Sequence, residues 1–181
     1  LPKIFGADIA AKMPDFVGVG LRAVMESARS FGAVFTEEDV RRAYEEIARN
    51  VYARAPLTAG VDELARALED AGFKLGLVSQ SANTWIAQVV PRLSFRDSLG
   101  VIISLQDSPD LQYKPAPDGF LHAFKALNAD PGRSFVLEDS NPGIAAGKAS
   151  GAFTIGFHGN LVAGYEQTGA DAYAETMEEV A

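Results

Sequence analysis

The sequence predicts an α/β protein, a parallel sheet with helices on both faces, joined to a small helical cap. Beyond Pro56, helical stretches alternate with short apolar runs, the pattern of βαβ units. Before Pro56, apolar residues recur at helical spacing instead. The 181 residues suffice for a core plus a satellite, and 48% hydrophobic with 22% charged residues is ordinary for a chain that folds. The expected division is a cap over residues 1–56 and a core over residues 57–181.

From Phe16 to Ala53 the cap reads as two helices. Leu21, Val24, Met25 and Ala28 share one face, and Val40, Tyr44, Ile47 and Val51 share another. Thr36 followed by Asp39 reads as an N-cap, with acidic residues favoured by the helix dipole in the first turn. The core opens with a helix from Val61 to Ala71, which Gly72 ends as a C′ residue. A strand over Phe73 to Val78 follows and stops at Ser79. The next helix, Asn83 to Val90, is interrupted by Pro91, which removes a donor and crowds the preceding turn.

Gly100 to Leu105 is a buried strand, and the polar, acidic loop Gln106 to Tyr113 delivers Lys114 ahead of a helix opening at Pro115-Ala116-Pro117. That helix ends near Asn128. Ser134 to Leu137 and Ala152 to Phe157 are further strands, around a short helix that Pro142 starts and Gly151 ends. Ala170 to Ala174 is expected as an edge strand, and the acidic tail beyond it as helical. The result is one sheet of at least four strands.

A formal charge of −8 with no run of basic residues argues against nucleic acid as a partner. The chain has no cysteine, which excludes disulfides, thiolate metal sites and a cysteine nucleophile and fits a reducing compartment, so cytoplasm is expected. No apolar run approaches the roughly 18 residues that read as a membrane span, and no signal peptide or internal repeat is evident. Small molecules are the expected partners.

Ligands of a parallel α/β sheet bind outside the carboxyl ends of its strands. Ser79 ends one predicted strand, Glu138-Asp139 ends another, and Lys114 lies in the loop beyond a third. A hydroxyl, an ammonium and paired carboxylates on one rim suit a phosphoryl group held beside a divalent cation, since carboxylate oxygens bind Mg²⁺ and leave positions for water and phosphate. Gln80, Ser81 and Asn83 are candidate substrate contacts, although Ser81 and Asn83 are also ordinary helix-start residues. Gly143 and Gly151 read as structural, for close helix packing and a helix end. His122 and His158 have no second histidine at ligand spacing, and Trp85, Phe31 and Phe35 read as packing residues.

The segments Leu77 to Ser81 (LVSQS), Lys114 to Asp118 (KPAPD) and Val136 to Gly151 (VLEDSNPGIAAGKASG) resemble the motifs of the haloacid-dehalogenase-like hydrolase superfamily, in its phosphatase and β-phosphoglucomutase-like branch. The likeness covers Leu57 to Gly159 well and the cap more loosely. It implies a Rossmann-like core in which Ser79 hydrogen-bonds a phosphoryl oxygen and Lys114 offsets the charge shared by phosphate and nucleophile. Asp139 would help hold Mg²⁺, with Glu138 as a second or water-mediated ligand.

The same resemblance calls for an aspartate at the end of the first strand, usually with another two residues later. Asp8 is followed by Ile9 and Ala10, and Asp15 by Phe16 and Val17, so neither begins such a pair. Relatives with this kind of cap place the nucleophile strand before the cap helices, so the first strand and its aspartate are expected upstream of Leu1. Residues absent from this chain, a shortened chain, and a natural protein without the nucleophile are the three explanations.

The expected function of the intact protein is Mg²⁺-dependent hydrolysis of a small phosphorylated metabolite through an aspartyl-phosphate. One alternative is a sugar-phosphate mutase resembling β-phosphoglucomutase. Against it, a comparison anchored on Gly18 puts Leu21 where that family has a cap arginine, with Arg22 one step off. Val17-Gly18-Val19-Gly20 followed by Met25 is somewhat similar to the cap of phosphoglycolate phosphatases. A dehalogenase fits less well, since Glu138-Asp139 resembles the Mg²⁺-binding form. A noncatalytic phosphate-binding module is the remaining alternative.

Overall fold

A computed structural model describes residues 2–14 and 20–181, so Asp15 and the Val17 to Val19 stretch lie outside the described residues. Two short helices, α1 (Pro2–Phe5) and α2 (Ala7–Ala10), precede the predicted pair α3 (Leu21–Ser30) and α4 (Glu37–Arg54). Thr36 caps α4 as expected, its hydroxyl accepting from the Asp39 amide at 3.1 Å. The α3 face is buried as read, with Leu21, Val24, Met25 and Ala28 packed against Phe5 and Val40.

The α4 face is not. Ile47 and Val51 are exposed, while Ala48 is buried against Trp85, with Tyr44 and Tyr52 packed around the pair. The seam therefore follows Val40, Tyr44, Ala48 and Tyr52 at strict four-residue spacing. The small Ala48 admits the Trp85 ring, which stacks on Tyr44 at 5.3 Å and Tyr52 at 5.8 Å.

The core elements follow the predicted order. Helix α5 (Val61–Asp70) ends before Gly72, whose φ of 81° is the left-handed conformation that a helix stop requires. Strand β1 (Leu75–Ser79) leads to α6 (Asn83–Val89), and Pro91 sits in a single 3-10 turn over Val90–Arg92. Strand β2 (Leu99–Ser104) precedes α7 (Asp118–Leu127), which begins after the Pro115-Ala116-Pro117 segment. Strand β3 (Phe135–Glu138) leads into α8 (Asn141–Ala149), capped by Ser140 through the Gly143 amide. Strand β4 (Phe153–Phe157) and the predicted edge strand β5 (Ala172–Ala174) complete the set.

The acidic tail beyond β5 forms bends and turns instead of a helix. Met177 and Val180 explain its course, because they pack on Leu64 and Phe157. No helix among the described residues is long and apolar enough to cross a membrane.

All described strand pairs are parallel, and helices cover both faces. Val136 and Val78 meet α7 and α8 through Phe120, Phe124 and Ala146. Leu137, one residue on and therefore on the opposite face, meets α5 through Leu64. The expected single sheet is divided, however. The described strands form a two-stranded sheet, β1-β2, and a three-stranded sheet, β3-β4-β5. Strands β1 and β3 each keep one edge without a strand, and a cleft of about 940 Å³ bordered by both separates the two sheets.

Candidate active site

Lys114 joins the two half-sheets at their carboxyl ends. Its ammonium donates to the Val78 carbonyl near the end of β1, at 3.1 Å, and to the Glu138 carboxylate at the end of β3. The Phe120 ring of α7 lies 4.9 Å from the ammonium. Both charged side chains are only 8% exposed, so each depends on the other to offset its lost hydration. Burial pushes the Glu138 carboxyl above its usual range, and the nearby ammonium pulls against that shift.

Glu138 also accepts from the Ser140 hydroxyl at 3.3 Å and lies directly over Gly143. A Cβ at Gly143 would stand 1.9 Å from its Oε2. The sequence reading of Gly143 as a packing glycine is therefore right in kind but misses its neighbour, which is a site carboxylate. The only signal in the sequence was a glycine in the first turn of the helix after Glu138-Asp139.

Asp139 is exposed immediately beyond β3. No group of three or more histidine or acidic side chains that could hold a metal forms among the described residues. The donor set still suits Mg²⁺, which commonly takes one or two carboxylates and fills its other positions with water and phosphate oxygens. Asp139 is the outward carboxylate. Glu138 is turned toward Lys114 and fits a water-mediated or orienting role better than a direct bond.

Ser79 ends β1 level with Ser104 of β2, and its Oγ accepts from the Ser81 amide at 3.0 Å. Ser81 continues this chain, its hydroxyl 3.2 Å from that of Tyr52 and its carbonyl accepting from Ser104 at 2.8 Å. Asn83 is exposed, and its backbone amide donates to Asp107 at 2.6 Å. Asp107 thus caps α6 from another loop, a role hidden in the sequence within an acidic segment. Gln80, at the β1 to α6 turn, is half-buried.

The remaining candidates fall elsewhere. Asp8 is exposed on α2. His158 lies 3.1 Å from Glu175 and stacks on Tyr173, while His122 is exposed on α7. Phe35 packs on Phe5 as expected, but Phe31 is 41% exposed at the end of α3 and contributes less packing than the sequence predicts. Leu21 is buried in the cap, and Arg22 points outward to Glu26 at 3.0 Å.

Comparison with known proteins agrees with this architecture. Residues 4–151 match the family model of the haloacid dehalogenase-like hydrolases. Hexitol phosphatase B of Escherichia coli is 28% identical over 150 residues, covering 80% of this chain and 67% of the relative. The validoxylamine A 7'-phosphate phosphatase of Streptomyces hygroscopicus subsp. limoneus is 32% identical over 97 residues, or 54% of this chain. The aligned part spans 45% of that relative's length. The crystal structure of CbbY from Rhodobacter sphaeroides in complex with phosphate superposes with a TM-score of 0.68 at 26% identity, covering 82% of this chain and 67% of that one.

Proposed function

The chain belongs to the haloacid dehalogenase-like hydrolase family, and from that premise we propose that it is the phosphate-holding body of a cytoplasmic Mg²⁺-dependent phosphatase for small phosphomonoesters. The observation that carries this reading is Lys114, buried between the ends of β1 and β3 with Glu138 in contact and Asp139 beside it. The neighbouring Ser79 hydroxyl is suited to a phosphoryl oxygen. Both phosphatases described above act on phosphorylated compounds by name, and a small phosphorylated metabolite is the proposed substrate here.

In the proposed reaction a carboxylate attacks phosphorus to form an acyl phosphate. The P–O bond to the alcohol breaks, the leaving alkoxide takes a proton from water, and a second water hydrolyses the acyl phosphate to inorganic phosphate and the restored carboxylate. Lys114 holds its positive charge at the rim through the attack, and Ser79 donates to an equatorial oxygen. Asp139, with Glu138 behind it, would hold Mg²⁺, which supplies neutralisation of the phosphoryl charge. The helical unit of residues 1–56 serves as the cap that screens the rim from bulk water.

The test is release of inorganic phosphate from a panel of sugar and polyol phosphates, with and without Mg²⁺. Ser79→Ala, Lys114→Ala and Asp139→Ala are expected to lower turnover by orders of magnitude, whereas Asp8→Asn changes little. Normal turnover in Lys114→Ala refutes the assignment. The mutase alternative predicts isomerisation of a glucose phosphate, and the buried Leu21 and outward Arg22 weigh against it.

A further inference from the structure

All three polar groups of Ser81 are engaged, and none of them serves the helix that follows. Its amide donates to the Ser79 hydroxyl oxygen at 3.0 Å, its carbonyl accepts from the Ser104 hydroxyl at 2.8 Å, and its own hydroxyl lies 3.2 Å from that of Tyr52. Helix α6 is capped from elsewhere, by Asp107 on the Asn83 amide. Ser104, only 3% exposed, belongs to β2 and holds Ser81 from the core. Tyr52 holds it from the other side, in the last turn of α4.

Tyr52 is held in turn at its ring and its backbone. The ring stacks on Trp85 at 5.8 Å, and the carbonyl accepts from Arg92 at 2.8 Å. The hydroxyl is therefore presented to Ser81 by a fixed ring. At the far end of the chain of bonds, the Ser79 carbonyl accepts from the Leu105 amide at 2.8 Å, which fixes its backbone, and the Ser81 amide fixes its side chain. That last bond occupies one lone pair of the Ser79 oxygen and leaves the hydroxyl hydrogen as a donor.

We propose that Tyr52 is a positioning residue, which through Ser81 directs the Ser79 hydroxyl toward a phosphoryl oxygen. The phosphate-holding rim is then complete only with α4 docked on the β1 to α6 turn. A packing tyrosine would need only its ring, whereas here the hydroxyl meets the one turn that carries Ser79. The phosphoryl ligand rests on the phosphatase reading, and the hydrogen-bond chain stands without it.

Tyr52→Phe removes the hydroxyl and keeps the ring, so Trp85 emission and the urea midpoint are expected to hold. Exchange of the Ser81 amide should rise about fivefold as the turn loosens. Affinity for inorganic phosphate with Mg²⁺, measured by calorimetry, should fall about tenfold, the loss of one ordinary hydrogen bond. In a Ser79→Ala background the same substitution should cost no further affinity, because its effect passes through Ser79. Phosphate should also draw the Ser81 amide proton downfield in the parent chain, since a hydroxyl that donates to an anion becomes a better acceptor. Tyr52→Phe should blunt that shift. Ser81→Ala deletes the same bond from the other side, is expected to match Tyr52→Phe, and takes its place in the test where the latter unfolds.

An unchanged phosphate affinity in Tyr52→Phe, with the parent binding, overturns the proposal and leaves the phosphatase reading intact. So does a loss that adds in full to that of Ser79→Ala, or one that follows a lowered urea midpoint. If the parent binds no phosphate while Tyr52→Phe still speeds Ser81 exchange, the phosphatase reading falls and the positioning of the Ser79 turn by Tyr52 stands. Absent binding with unaltered exchange sinks both.

Discussion

At the scale of single residues, Lys114 and Glu138 form a buried ion pair that joins the ends of β1 and β3. Removing one partner of a buried pair strands the other charge, which typically costs about 3–5 kcal/mol. Lys114→Met is accordingly expected to lower the urea-unfolding free energy by that amount, and Lys114→Met combined with Glu138→Gln to recover most of it. Equal loss in both variants would mean that the ammonium stabilises the fold through Val78 and Phe120 instead. Gly143→Ala separates position from charge. Alanine improves an exposed helix site by about 1 kcal/mol, but here its Cβ displaces the Glu138 carboxylate. Stability should therefore fall by part of the buried-pair cost, and phosphate release should fall at least tenfold in parallel assays. The LVSQS, KPAPD and VLEDS segments made Ser79, Lys114, Glu138 and Asp139 legible as neighbours. Asp107 and the approach of Gly143 to Glu138 were not legible, because each depends on a contact across chain elements that local pattern does not encode.

At the scale of elements, α4 is fastened to the core by its carboxyl half. Arg92 donates to the Tyr52 carbonyl at 2.8 Å and to the Ala55 carbonyl, satisfying acceptors that a helix end otherwise leaves open. Trp85 stacks between Tyr44 and Tyr52, and Tyr52 reaches Ser81. Hydrogen bonds to a charged donor contribute about 1.5–3 kcal/mol, so Arg92→Ala is expected to destabilise by that order. Its effect should appear in the fluorescence of Trp85, the one tryptophan of the chain. An unchanged emission spectrum in Arg92→Ala would show that the aromatic stack holds the helix unaided. Element types and order were readable because helical and strand periods differ so clearly here. The buried face of α4 was not, since Ile47 and Val51 have the more apolar side chains and only the bulk of Trp85 selects Ala48 over them. The tail failed for a related reason, its acidic helical pattern yielding to the burial of Met177 and Val180 against Leu64 and Phe157.

At the scale of the whole molecule, the division of the sheet was only half legible. Strand order and parallel pairing were readable from the alternation of helices and apolar runs, but nothing in the local sequence showed that the described strands fall into two half-sheets bordering one cleft. Connections across that division then matter, and Asp62 is one. It lies on α5, which packs on the β3-β4 side through Leu64, and it accepts from the Ser94 hydroxyl at 2.7 Å and amide at 3.1 Å in the segment leading to β2. Those bonds hold its carboxyl below the usual range. Asp171 is lowered in the same way by Lys148 of α8 and the Thr154 amide of β4. A carboxyl depressed in the folded state binds its proton more readily when unfolded, so its stabilisation is complete above the unfolded value, near pH 4. That contribution is lost as pH falls through the lower folded value. Glu138, raised by burial, acts oppositely, and its contribution fades as pH rises. Urea midpoints between pH 2 and 7 are therefore expected to drop steeply below roughly pH 4. Asp62→Asn with Asp171→Asn should flatten that drop while lowering the neutral-pH midpoint. Asp62→Asn alone should speed amide exchange in α5 and in the segment around Ser94 more than in β4 and β5. A drop of unchanged steepness in the double variant would place the acid sensitivity in other carboxylates.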